Sequence, residues 1–146
     1  MSQTAAHLSP PIAKSLDTWH ALVARGDLSG LEAIVHPDAV FRSPMAHNPY
    51  GPRQALLLIL GTVITIFKEF TYHRQFTSSD GMSVVLEFSA VVGDKQVSGI
   101  DMIRFNEEGL IMEFEVMVRP MSGLQVLGAE MGARLAQHLA AFKGKE

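Results

Sequence analysis

Cysteine is missing from all 146 residues. Its absence excludes disulfides, thiol nucleophiles and cysteine-held metals. An excess of positive charge is missing too: twelve Lys and Arg against fifteen Asp and Glu leave a formal charge of −3. Arg25, Arg42, Arg53, Arg74, Arg104 and Arg119 stand apart from one another, which marks no nucleic-acid surface. The greasiest run, "ALLLILGTVITIF" from Ala55 to Phe67, falls short of the ~18 apolar residues of a membrane span. The opening "MSQTAAHLSPP" has neither the basic region nor the apolar run of a signal peptide. No HxH, HxxxH or HExxH spacing, Gly-rich phosphate loop or GxSxG elbow occurs. These absences lead us to expect a soluble, cytoplasmic protein with no metal, no cofactor, and neither nucleic acid nor membrane as partner.

What is present reads as one domain over residues 1–146, large enough to bury roughly 70% of its unfolded surface, with a loose start over residues 1–10. From Pro11, residues Ile12, Leu16, Trp19, Leu22 and Val23 recur at helical spacing. A short helix is expected from Leu28 to Val35, ending at His36-Pro37, and "DAVFRSP" then reads as a strand. Pro52 is placed to open the greasy helix. Four strands follow: "EFTYHRQFTSS", "MSVVLEFSAVV", "QVSGIDMIRF" and "LIMEFEVMVRP". Gly93-Asp94 and "NEEG" are the expected turns between the last three. A final helix is expected from Ser122, capped by Ser122 and Gln125, with Leu124, Leu127, Met131, Leu135 and Leu139 as its apolar stripe. Helices first and consecutive antiparallel strands after them make the class α+β.

Asp101 interrupts an otherwise oily strand. Side chains alternate across a sheet, so Asp101 shares a face with Val97, Ile103 and Phe105. A turn at Gly93-Asp94 sets it opposite Leu86, and pairing of Phe105 with Leu110 sets it opposite Phe114, on a face continued by Met112, Val116 and Val118. A carboxyl there either finds partners or has its pKa raised by desolvation. It is then either a satisfied structural acid or the polar group of a ligand pocket. The other face mixes Glu87, Ser89, Ser98, Arg104, Glu113, Glu115 and Arg119 with Ile100, Met102 and Met117, and is the expected homodimer surface.

"WHALVARGDLSGLEAIVHPDAVFRSP", "GPRQALLLIL" and "VSGIDMIRFNEEGLIMEFEVMVRP" occur in an order that resembles the SnoaL-like branch of the nuclear transport factor two-like (cystatin-like) superfamily. The resemblance covers roughly residues 11 to 130. It implies a cone: a curved antiparallel sheet wrapped over N-terminal helices, with a C-terminal helix and a deep pocket. Within it, "GIDMIRFNEEGLI" is similar to the strand pair of the ketosteroid isomerases, whose neutral oxyanion-hole acid matches Asp101. The isomerase tyrosine falls at Trp19 and the isomerase base at Ser43, which cannot take a carbon-bound proton unaided. The acid of the epoxide-hydrolase branch falls at Val116.

The resemblance therefore implies a small hydrophobic ligand, with Asp101 as the candidate catalytic acid/base of a cofactor-independent isomerase or cyclase. A non-catalytic binding protein anchored by Asp101 is the alternative. Candidate ligand-contacting residues are Trp19, Phe41, Ser43, His47, Phe67, His73, Leu86, Phe114, Val116 and Val118. His47 lies in the loop after "RSP", where it either swings over the pocket mouth or faces solvent. His73 either lines the cavity or points outward. His20 is expected to be peripheral and His36 to shape its turn.

Overall fold

A computed structural model describes residues 8–139, with side chains through residue 135. The elements are α1 (Pro10–Arg25), a 3-10 turn (Leu31–Ile34), β1 (Val35–Arg42), α2 (Arg53–Ile66), β2 (Lys68–Thr77), β3 (Ser83–Val92), β4 (Lys95–Phe105), β5 (Ile111–Arg119) and α3 (Met121–Leu139). Of the expected loose start, residues 1–7 lie outside the described residues. Leu8 is buried and Pro10 already opens α1, where its fixed φ suits a helix and no amide hydrogen is needed. Gly26 ends α1 in the left-handed region at φ 70°, which glycine adopts without cost.

The five strands form one open, curved sheet in the order β1-β5-β4-β3-β2. It is mixed rather than wholly antiparallel, because β1 lies parallel to β5. The expected helix over 28–35 is only the single 3-10 turn, and β1 starts at Val35, through His36-Pro37. Proline tolerates this edge position because no neighbour there needs its hydrogen bond. His36 Nδ1 accepts the Asp38 amide at 3.0 Å, shaping the strand locally.

Strands β3 and β4 pair as expected about Gly93-Asp94, with Leu86 opposite Asp101. On the other side Asp101 faces Val116, not Phe114, and Phe105 pairs with Ile111, not Leu110. The shift is two residues: the turn closes on Ile111, one residue later than expected, and a bulge between the Arg104–Glu113 and Phe105–Ile111 pairs takes up Met112 as a second. The Asn106 side chain accepts the amides of Glu108 and Leu110, closing the turn ahead of the bulge. Ile111 is buried as a result, while Met112 is only half-buried.

Helix α3 starts one residue early, with the Leu124 amide on the Pro120 carbonyl at 2.9 Å. Ser122 is thus inside the helix, which rules out the expected capping box with Gln125. Leu127 and Leu135 are buried and Leu124 and Met131 half-buried; the Leu139 side chain lies outside those described. Helices and sheet enclose the main core, whose largest fully buried members include Phe88, Phe105, Phe114, Ile12 and Leu56. Gly99 on β4 stands across from Phe88, and a Cβ there would lie 2.7 Å from the Phe88 ring and 2.3 Å from the Met117 carbonyl oxygen.

The outer sheet face carries bidentate Arg74–Glu87 contacts at 2.7 Å and an Arg42–Glu113 ion pair. Among them Ile100 and Met102 are half-buried and Met117 is 46% exposed. Among the described residues, no helix is long and apolar enough to cross a membrane.

Candidate functional site

The concave side of the sheet, with α1, α2 and α3, encloses a cavity of about 570 Å³. Its wall is mostly aliphatic and aromatic: α2 contributes Ile59, Leu60, Val63 and Ile64, and α3 contributes Leu127 and Met131. Val63 and Ile64 are half-buried where they face the cavity, whereas Ile59 and Leu60 are buried in its wall. Asp101 opens into this space from β4 although it is only 5% exposed.

Asp101 is not alone. The Tyr72 hydroxyl on β2 donates to Asp101 Oδ2 at 2.5 Å, and Trp19 Nε1 on α1 donates to the Tyr72 oxygen at 3.0 Å. Three elements thus meet in a chain, Trp19 to Tyr72 to Asp101. Tyr72 reaches it because β2 is irregular. Register shifts flank the Thr71–Ser89 and Tyr72–Phe88 pairs, and Glu69 takes a left-handed φ of 53°. Phe70 and Tyr72 therefore face inward, and the second shift turns Phe76 outward, where it is 51% exposed. The Tyr72 ring is held edge-on by Phe70 at 4.9 Å and by His20 at 5.3 Å.

Burial raises the Asp101 pKa to about 7, and the Tyr72 hydrogen bond opposes that rise. Desolvation also lifts the Tyr72 pKa well above its ordinary value, with the charge of Asp101 adding to it. Tyr72 is thus a neutral donor throughout the physiological range, while Asp101 exchanges its proton near neutrality.

Of the residues singled out from sequence, Trp19, Phe41, Ser43, Phe67, Asp101 and Val116 line the cavity together. Five do not. His47 is exposed on its loop, and His73 is exposed on the outer sheet face, where its Nε2 pairs with Ser89 Oγ at 2.7 Å. Leu86 and Phe114 are fully buried behind the wall, Phe114 edge-on to Trp19 at 5.1 Å, and Val118 packs against the core. His20 sits beside Tyr72 and within 3.4 Å of Gln75 Oε1, closer to the site than expected. The residue that sequence reasoning missed is Tyr72. Its only signal was shared parity with Phe70 on the first long strand.

Residues 16–114 match the SnoaL-like domain model. The chain belongs to the SnoaL-like family. It is 62% identical to a steroid delta-isomerase from Pseudomonas aeruginosa of known structure, covering 91% of this chain and 97% of that one, with a TM-score of 0.87. It is 33% identical to an uncharacterised bacterial protein with a cystatin-like fold from Silicibacter pomeroyi, over 85% and 86% of the two chains, TM-score 0.78. SalBIII, an epoxide hydrolase/cyclase-like enzyme of pyran ring formation in the polyether salinomycin, shares the fold at 17% identity, over 75% and 91% of the chains, TM-score 0.61. No curated protein matches the chain. The SnoaL-like cone accounts for the curved sheet, the three helices and the internal cavity alike.

Proposed function

We propose that the cavity takes a small hydrophobic carbonyl compound and that Asp101 moves a proton on it, as in a cofactor-independent isomerase. The observation that carries this reading is a single acid with a pKa near 7, hydrogen-bonded to a phenol, in the wall of an apolar cavity. A general acid or base works best when its pKa lies near the operating pH. The name of the Pseudomonas relative, a steroid delta-isomerase, supports an isomerisation and a steroid-like substrate.

The resemblance puts Ser43 where the ketosteroid isomerases keep their base, and in this reading Asp101 takes that work itself. Its ionised form accepts the carbon-bound proton between the carbonyl and the alkene. The C–H pair moves into a dienolate, and the same carboxyl returns the proton to the distal alkene carbon, with no net gain or loss. The hydroxyls of Ser43 and Tyr50, both in the wall, are the donors on offer to the dienolate oxygen.

The test is the gain of conjugated-enone absorbance from a steroid-sized β,γ-unsaturated ketone. Turnover should rise with pH through about 7, the Asp101 value, and Asp101→Asn should lower kcat by about 10²-fold or more. Turnover that falls above that pH would show that Asp101 acts as a neutral donor and would overturn its role as base.

A second reading, a non-catalytic binding protein, is favoured by the wall itself. Among the described residues lining the cavity, Asp101 is the sole carboxylate and none is a histidine. Ketone binding by thermal shift without turnover would decide for it.

A further inference from the structure

We propose that Trp19 is a positioning residue that fixes the direction of the hydrogen-bond chain and so keeps the Asp101 proton off Oδ2 and on Oδ1, the oxygen left to the ligand. The inference rests on the reading that Asp101 is the proton-transfer group, but its central test needs no substrate.

An indole N–H donates and cannot accept. With Trp19 Nε1 donating to the Tyr72 oxygen at 3.0 Å, the single Tyr72 proton cannot point back toward α1. It goes forward to Asp101 Oδ2 at 2.5 Å. Oδ2 is thereby held as an acceptor, which leaves Oδ1 as the oxygen that presents a lone pair or a proton to the cavity. A hydroxyl or an imidazole at position 19 could accept as well as donate, and the chain could then run either way. Trp19 is 3% exposed and wedged edge-on against Phe114, which stacks on Phe41. Its ring is therefore held in the orientation that the lock requires.

Few other groups could confuse a titration of Asp101. On the sheet its direct neighbours are Leu86 on β3 and Val116 on β5. From β2 it meets Tyr72, and from α1 the one further titratable group against this chain is His20, edge-on to Tyr72.

The experiment follows the Asp101 carboxyl carbon by NMR against pH, its resonance identified by loss in Asp101→Asn, in a His20→Gln background. Trp19→Phe frees the Tyr72 proton to turn away, so the Asp101 midpoint should rise by about half a pH unit or more. Tyr72→Phe should raise it at least as far, and adding Trp19→Phe to Tyr72→Phe should change nothing further, as required of a residue that acts only through its partner. Phe leaves space at a buried site, so the series is repeated with benzothienylalanine at position 19, which keeps the bicyclic shape and lacks the N–H. An unmoved or lowered midpoint with that isostere, or an equal shift without Tyr72, overturns the proposal. In turnover, the pH–rate midpoint should move with the NMR midpoint. Absence of turnover in every variant would count against the isomerase reading alone, leaving the NMR result to judge the lock.

Discussion

At the scale of single residues, the energetics of Asp101 set a measurable trade. The folded protein holds the Asp101 proton up to about pH 7, whereas the unfolded chain releases it near 3.8. Folding therefore takes up a proton between those values, and stability falls as pH rises across that window. The full excursion is roughly 4–5 kcal/mol at about 1.4 kcal/mol per pH unit. Asp101→Asn carries no such proton, so its stability relative to the unsubstituted protein should improve from pH 5 to about pH 7 and level off above that in urea titrations. A constant offset between the two proteins across that range would show that Asp101 is not strained by burial. The inward direction of Asp101 was legible in the sequence because parity within a strand needs no partner. Tyr72 was not: its place depends on two irregularities in β2 and on a neighbour 29 residues away, and neither leaves a local trace.

At the scale of elements, turns that obey simple chemistry were legible and bulges were not. Gly93 adopts φ 60°, the left-handed value a two-residue hairpin demands, and the β3–β4 register followed. The β4–β5 register missed by two residues, because the turn is one residue longer than expected and the bulged Met112 is indistinguishable from its neighbours in pattern. Helix α3 offers a test of how an element shapes the site. Gly128 and Gly132 form part of the cavity wall. Gly132 is exposed, and a Cβ there would meet no atom within 4 Å. Gly132→Leu should raise Tm by about 2–4 °C, since leucine exceeds glycine in a helix by about 0.8 kcal/mol. The same change should weaken binding of a bulky polycyclic ketone by about 10-fold or more while sparing a monocyclic one. Equal effects on both ketones would place the bulky ligand elsewhere in the cavity.

At the scale of the whole molecule, one side of the sheet lines the cavity and the other carries charged and apolar side chains interspersed. The outer face alternates ion pairs with Ile100, Met102 and Met117, so the expected homodimer has a direct measurement. Light scattering at micromolar concentration should give twice the mass of the chain, and Met117→Glu should lower it toward a single copy. A single-chain mass for the unsubstituted protein would remove that face from consideration. The inner side owes its geometry to a residue with no chemistry of its own. Gly99 leaves room for the Phe88 ring; Phe88 stacks on Phe70 at 4.9 Å, and Phe70 meets Tyr72 edge-on at the same separation. The place of the phenol is thus relayed from an empty volume on the next strand but one. Anyone transplanting Trp19, Tyr72 and Asp101 into another cone would have to transplant that vacancy too, since a methyl group at position 99 would move the phenol without touching it.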